Sequence, residues 1–72
     1  MAKSISEKIK AILKRNNKNA NDYANALDIN VQSLRNKYYR ESFTVNDLLT
    51  LSDVCEGKIA FIGKDGTIIY FN

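Results

Sequence analysis

The stretch DYANALDINVQSLRNKYYR, residues 22–40, constrains the fold most, because two helical patterns meet within it. The first apolar-periodic run stops at Asp28, and the second begins directly after Asn30 with no glycine or proline between them. Aspartate enters the left-handed backbone region more readily than most non-glycine residues, so Asp28 can form the turn. The pattern predicts two short helices joined by a three-residue turn, with Ile29 buried in the turn and Asn30 capping the second helix.

The second of these helices has one apolar side and one polar side. Leu34 and Tyr38 lie four residues apart and therefore share the side that packs on the protein. At about 100° per residue, the opposite side carries amides, a tyrosine, a serine and arginines: Gln32, Asn36, Tyr39, Ser33, Arg35 and Arg40. Amides pair bidentately with adenine, and arginine with guanine, in the major groove. The arrangement favours a helix-turn-helix that reads double-stranded DNA.

Composition is typical of one small globular domain. The chain has 72 residues, of which 44% are hydrophobic and 26% charged. A chain of this size buries only about 60% of its unfolded surface, so a second subunit would add stability. No apolar run approaches the ~18 residues of a membrane span, and MAKSISEKIK lacks the apolar segment of a signal peptide. We expect a bacterial cytoplasmic protein without membrane contact, with the lone Cys55 reduced and buried in the fourth helix.

Charge is distributed unevenly along the chain. Residues 1–40 hold nine basic and three acidic side chains, whereas residues 41–72 hold two basic and five acidic ones. A basic half suggests a surface for an anionic polymer. Ordinary surface charge produces the same numbers, and the lysines of the first helix are interpreted as a solvated face.

Capping signals predict where the helices begin. A residue whose side chain accepts from the third helical N–H, followed three residues later by an acid, begins a helix. Three such pairs begin the first, second and fourth helices: Ser4 and Glu7, Asn19 and Asp22, Thr44 and Asp47. The polar loop 16–19 ends the first helix, and Gly57 is the natural end of the fourth.

After Gly57 the apolar period changes from helical to alternating. Residues 58–62 and 67–71 are rich in β-branched and aromatic side chains, and Asp65-Gly66 between them predicts a hairpin with a two-residue loop. That loop pairs Ile62 with Ile69, and it places four apolar residues on the other face: Ile59, Phe61, Ile68 and Tyr70. A lone two-stranded hairpin is marginal in water. We therefore expect a homodimer through this face, with packing on the chain's own helices as the alternative.

The predicted fold is mostly α with a small β element. Residues 1–57 form a helical helix-turn-helix DNA-binding domain of four helices. Residues 58–72 form a C-terminal β-hairpin that belongs to the same domain and serves as the dimerisation element.

The segment 21–36 resembles the helix-turn-helix of Cro/C1-type (XRE family) repressors. Asp22-Tyr23-Ala24 stands where these proteins usually carry an acidic residue, Leu and Ala, and residues 27–30 stand where they carry an apolar residue, Gly, a small or β-branched residue and Ser or Thr. Leu34 matches their apolar anchor. The later stretch NKYYRESFTVNDLL…FIGKDGTIIYFN is similar to short XRE-type proteins of Gram-positive bacteria and their mobile elements. The resemblance covers about residues 5–71 and implies a lambda-repressor-like fold and a transcriptional repressor.

The resemblance also implies which residues contact DNA. Base reading falls on or beside five positions: Val31, Gln32, Ser33, Arg35 and Asn36. Candidates for phosphate contact are Lys18, Asn19, Asn21, Asn30, Lys37, Tyr39, Arg40 and Ser42. Tyr39 has an equal alternative role, packing against Phe43.

Three positions depart from the family pattern. Asp28 replaces the usual turn glycine, and Ala20 replaces a Gln or Ser that often holds a phosphate. Lys37 replaces a commonly apolar residue, so the packing role passes to Tyr38.

Two other classes of function are weighed against DNA binding. The chain has no histidine, no glycine-rich phosphate loop and no nucleophile motif, so we predict no enzyme, no metal, no cofactor and no small-molecule ligand. Small phage and mobile-element proteins also reuse this fold to bind another protein, as antitoxins or inhibitors of host machinery. The basic N-terminal half favours DNA.

Overall fold

The computed structural model describes residues 4–72, which form four helices followed by a two-stranded antiparallel hairpin. The helices are α1 (Ile5–Arg15), α2 (Ala20–Leu27), α3 (Val31–Arg40) and α4 (Val45–Val54), and the strands are β1 (Ala60–Ile62) and β2 (Ile68–Tyr70). The predicted fold class, mostly α with a small β element, is confirmed. None of the helices within residues 4–72 is long and apolar enough to cross a membrane.

The helices begin at the predicted caps. At α2, Asn19 Oδ1 accepts from the Asp22 N–H at 2.9 Å, and the Asp22 carboxylate accepts from the Asn19 N–H at 3.0 Å. The other three caps each accept from the third helical N–H: Ser4, Asn30 and Thr44. These local bonds satisfy N–H groups that a helix start leaves without intrahelical partners.

Each of the four helices within residues 4–72 is followed by a left-handed residue other than glycine: Asn17, Asp28, Glu41 and Glu56. In the turn between α2 and α3, Asp28 has φ 61°, as predicted, and the Ile29 N–H donates back to the Ala24 carbonyl at 3.0 Å. This bond and its counterparts satisfy the last carbonyls of each helix. The turn after α2 is therefore closed without glycine.

The end of α4 differs from the prediction. The helix stops at Val54, and Glu56 rather than Gly57 takes the left-handed conformation. Gly57 contributes its N–H, which donates to the Ser52 carbonyl at 2.7 Å. Cys55 was predicted as a buried residue of the helix, but it is the half-buried C-cap.

The core lies among the four helices, which together we call the helical body. Within residues 4–72, six hydrophobic residues are buried: Ile9, Leu13, Tyr23, Ala24, Leu34 and Leu51. The Tyr23 hydroxyl donates to the Asp47 carbonyl at 2.8 Å, so its polar end is satisfied inside the core. Ile29 packs against this cluster from the turn, as predicted. The turn between α2 and α3 is thus anchored from within.

One long-range contact joins the start of α1 to the end of α3. The Glu41 carboxylate accepts from the Ile5 and Ser6 N–H groups at 3.0 and 3.2 Å, and Ser6 Oγ donates to the Tyr38 carbonyl at 2.7 Å. Partial desolvation raises the pKa of Glu41, but the hydrogen bonds from Ser6 and Ile5 outweigh it and leave the pKa below its usual value. Glu41 therefore acts as a second cap for α1.

The hairpin register is shifted by one residue from the prediction. Three pairs form the ladder: Ala60 with Tyr70, Phe61 with Ile69, and Ile62 with Ile68. The loop has three residues, because the Gly63 N–H donates to the Thr67 carbonyl at 2.7 Å and Gly66 closes it with φ 92°. A three-residue loop that ends in a left-handed glycine is a common hairpin connection. The predicted two-residue loop is wrong, and the strands are shorter than the predicted spans 58–62 and 67–71.

In the observed register, the four residues predicted to form the dimer interface lie on two different faces of the hairpin. A shift of one residue moves one strand's side chains to the opposite face. Ile59 and Phe61 now share a face with Ile69 and Phe71, which we call the Ile59 face. The other two predicted residues lie on the Ile62 face, which consists of Ala60, Ile62, Ile68 and Tyr70. The grouping of Ile59, Phe61, Ile68 and Tyr70 on one surface is therefore wrong.

Both faces of the hairpin are largely exposed. Phe61 on the Ile59 face is 59% exposed, and Ile62 on the other face is 70% exposed. Within residues 4–72, the buried cluster and the side chains packed on it include no residue of the hairpin. Asn72 ties the hairpin to α4, since it accepts from the Ile59 N–H at 3.0 Å and donates to Ser52 Oγ at 2.7 Å. The hairpin thus adds no side chain to the buried cluster, although Ile59 is half-buried and lines a cleft with Ile12 and Leu51.

Candidate nucleic-acid interface

One side of α3 presents a continuous row of polar side chains, which we call the α3 stripe. It consists of Gln32, Arg35, Asn36, Tyr39 and Arg40, all exposed. Their spacing of three and four residues puts them on one side of the helix. Leu34 on the opposite side is fully buried, which fixes the rotation of the helix and turns the stripe outward.

The α3 stripe has no competing role inside the protein. Within residues 4–72 none of its side chains forms a hydrogen bond or ion pair. Tyr39 is 90% exposed, so the interpretation that it packs on Phe43 is wrong. Tyr38 does so instead, with ring centroids 5.6 Å apart. Polar groups of the stripe are therefore available to an external partner.

The first turn of α3 is only partly available. Val31 is half-buried and packs against the core, so only part of its side chain is exposed. Ser33 is also half-buried, and its N–H donates to Asn30 Oδ1 at 2.7 Å. Asn30 thus caps the helix with its side-chain oxygen, and its amide NH₂ is the donor left for another partner.

Lys37, which was predicted to contact phosphate, has its ammonium engaged within the fold. Its Nζ lies 2.9 Å from the Asp47 carboxylate and 5.9 Å from the centre of the Phe43 ring. Burial raises the pKa of Asp47, but hydrogen bonds from Thr44 and Lys37 and the Lys37 charge hold it below its usual value. The half-buried Lys37 is tolerated here because its ammonium has an acidic partner.

The remaining phosphate candidates are exposed at two places. Lys18, Asn19 and Asn21 lie at the start of α2, where the Asn19 oxygen is already used by the capping box. Ser42 lies just after α3 and is exposed next to Arg40 of the stripe. The structure brings Tyr39 and Arg40 together with the base-reading candidates on one helix.

The lysines of α1 were predicted to form a solvated face, but Lys10 contacts Tyr38 of α3. Lys10 Nζ lies 4.8 Å from the centre of the Tyr38 ring, which attaches a cation of α1 to the flank of α3. The four-residue spacing of Lys10 and Lys14 was visible in the sequence. Their nearness to α3 was not, because it depends on how the two helices pack.

Comparison of the chain with protein-family models, with curated proteins and with solved structures found no match. In the part of the chain that the structure describes, no group of histidine, cysteine, aspartate or glutamate side chains is arranged to hold a metal ion. The site is therefore characterised by its own geometry: a buried anchor, a tight turn and an outward row of amides and arginines.

Proposed function

We propose that the protein is a sequence-specific double-stranded DNA-binding transcriptional regulator of the Cro/C1 type, a repressor acting in the bacterial cytoplasm. The observation that carries the proposal is the α3 stripe, five exposed side chains without internal partners on a helix held by a three-residue turn. Amides and arginines in such a row suit the edges of adenine and guanine in the major groove. Gln32 and Asn36 take the role of base readers, and Arg40 that of a phosphate contact.

The proposal includes a homodimer formed through the hairpin. A monomer that leaves two apolar hairpin faces in water gains by covering one of them. We assign the interface to the Ile62 face, because Ile59 on the other face lines a cleft with Ile12 and Leu51 of the helical body. The two copies of α3 would then lie about 34 Å apart, which is one turn of B-DNA, and each would contact one half of an inverted repeat.

Selection of bound sequences from a randomised duplex library, at ~150 mM salt, tests the function. Weak electrostatic binding is screened at that ionic strength, so enrichment reports base reading. We expect a short inverted repeat. Absence of any enriched sequence would overturn the proposal and favour a protein partner.

A double variant locates the reading surface. Gln32→Ala with Asn36→Ala should weaken binding to the selected site by about 1–3 kcal/mol for each bidentate amide–adenine pair that it removes, and should relax sequence preference. The matched control is Asn25→Ala with Asn46→Ala, which removes two exposed amides of α2 and α4 and should leave sequence preference unchanged. Equal sequence preference in the wild type and the α3 variant would place base reading elsewhere.

The dimer is tested by one substitution on each face of the hairpin. Ile62→Lys puts a charge on the proposed interface and should give a monomer in sedimentation equilibrium, whereas Ile69→Lys on the Ile59 face should remain dimeric. A reversed result would assign the interface to the Ile59 face. Dimers from both variants would show that the hairpin is not the contact.

A further inference from the structure

A groove separates α1 from α3 beside the α3 stripe. Two adjoining cavities of about 460 and 400 Å³ form it, and both are lined by Lys10 and Tyr38. The first extends past Lys14 and Lys18 to the start of α2. The second extends past Arg35 and Tyr39 to the start of α1. The two cavities adjoin at Lys10 and Tyr38, and together we call them the α1–α3 groove.

The charges along this groove are mostly positive. Its cations are Lys10, Lys14, Lys18 and Arg35, and its acids are Glu7 and Glu41. Both acids line the cavity at the start of α1, where Glu41 is occupied with the backbone of Ile5 and Ser6. The cavity toward α2 is lined by three lysines and by no acidic side chain among the residues described. That end attracts anions.

The spacing of the lysines indicates the shape of the anion. Lys10 and Lys14 are four residues apart on α1, which separates them by about 6 Å along the helix axis. Lys18 follows beyond the end of the helix. A single small anion needs donors that converge on one point, whereas a row of separated cations suits the repeated charges of a phosphate backbone.

We propose that the α1–α3 groove holds a phosphate strand of the duplex that the α3 stripe reads, with Lys10 and Lys14 as contacts. The inference rests on the proposed function and adds α1 to the DNA-binding surface. Arg35 and Tyr39 belong both to the stripe and to the groove, so one duplex can engage both. The Tyr38 ring under Lys10 limits the positions of the ammonium and reduces the entropy cost of binding.

The salt dependence of binding to the selected site tests this surface. Removal of one lysine–phosphate pair should reduce the slope of log K against log salt by about 0.9. Because a bound dimer carries two copies of the groove, Lys10→Ala with Lys14→Ala removes four such pairs. It should therefore lower the slope by about 3–4 and weaken binding at ~150 mM salt by roughly tenfold or more. Sequence preference should not change, because phosphate contacts do not read bases.

Lys8→Ala with Lys64→Ala is the matched control, since it removes the same charge from exposed lysines that do not line the groove. The control should keep the wild-type slope, and Lys10→Arg with Lys14→Arg should restore it. Circular dichroism should show the same helix content in all variants, because Lys10 and Lys14 are both exposed.

The outcomes separate the two proposals. If the wild type selects a site but the groove variant has the same salt slope as the control, the groove proposal is wrong and the proposed regulatory function is unaffected. A wild type that selects no duplex would overturn both. Equal weakening in the groove variant and the control would mean that net charge alone acts, and the groove would again be rejected.

Discussion

The helical body buries a core of apolar side chains, whereas the hairpin leaves most of its own exposed to solvent. The helical body encloses its largest side chains, with Tyr23 and Leu34 at 0% exposure. The hairpin holds its apolar side chains in two rows on three-residue strands, and Ile62 remains 70% exposed. The first region is stabilised by its own packing, whereas the second is stabilised mainly by its loop, its ladder and Asn72. This difference suggests that the hairpin is completed by another surface.

Truncation of one apolar residue in each region gives the largest contrast. Leu34→Ala should lower the free energy of unfolding by about 2–5 kcal/mol, because it leaves a cavity in a closed core. Ile62→Ala should change it by less than about 0.5 kcal/mol in dilute protein, since the side chain already faces water. Urea unfolding monitored by circular dichroism measures both. Similar effects of the two substitutions would mean that the hairpin is part of the core.

Exchange of residues at left-handed positions gives the next effect. Gly66→Ala in the loop should destabilise the hairpin by about 1–2 kcal/mol, because the added Cβ meets no atom within 4 Å and the cost is conformational. Asp28→Gly in the helical body should stabilise the protein by about 0.5 kcal/mol. The substitution relieves the strain of a left-handed aspartate, and the greater entropy of glycine in the unfolded chain offsets part of that gain. The readouts are hydrogen exchange of the Phe71 N–H and thermal unfolding. A decrease in stability for Asp28→Gly would show that aspartate is favourable in this turn.

Removal of the tie between the regions should have a local effect. Asn72→Ala deletes the bonds to Ser52 and Ile59 and should cost about 1 kcal/mol, seen as roughly fivefold faster exchange of the Ile59 N–H. The Leu51 N–H in α4 serves as the control and should exchange as in the wild type. Faster exchange at both amides would show that loss of the Asn72 bonds also destabilises the helical body, so that the two regions are not independent.

Acid should affect the helical body more than the hairpin. Asp47 and Asp65 both have pKa values below the usual 3.8. Burial raises the pKa of Asp47, but the bonds from Thr44 and Lys37 outweigh it, while the Thr67 N–H lowers that of Asp65. Carboxylates of this kind contribute stability above the unfolded-state pKa and lose it as the pH falls through the lower folded-state pKa.

We therefore expect the free energy of unfolding to fall as the pH drops below about 4. Asp47→Asn should flatten that decline, because the Lys37 ion pair is then absent at every pH. Asp65→Asn should follow the wild-type curve, since its carboxylate is exposed in the loop. Urea titrations at several pH values provide the measurement. An unchanged slope in Asp47→Asn would assign the acid sensitivity to Glu41 or another carboxylate.

The parts of the fold that were predicted from sequence depend on neighbouring residues. Asn19, Asn30 and Thr44 each cap a helix through a bond to a residue three positions on, and Asp28 takes its positive φ within the same short span. The exposed row on α3 also follows from a local period, once Leu34 is taken as its buried anchor. Each of these features is determined by residues within about one helical turn of one another, so the local sequence is enough to predict it.

The parts that were missed depend on residues far apart or on one backbone angle. Lys37 turns inward because Asp47 lies beside it, and Lys10 reaches α3 through helix packing. The hairpin register depends on whether Gly66 is the second or the third loop residue, a choice that Asp65-Gly66 leaves open. A slip of one residue costs little where neither face is buried, so the apolar pattern of the strands could not decide it.

The Glu41 contact has a consequence for how the chain folds. It joins residues 36 positions apart, whereas the caps of α2, α3 and α4 join residues three apart. Closing so long a loop reduces chain entropy before the contact repays it. The α2-turn-α3 unit can therefore form early from local bonds, while the first turn of α1 waits for α3 to be complete. We therefore expect the Glu41 contact to form after the rate-limiting step of folding, so that it slows unfolding more than it speeds folding.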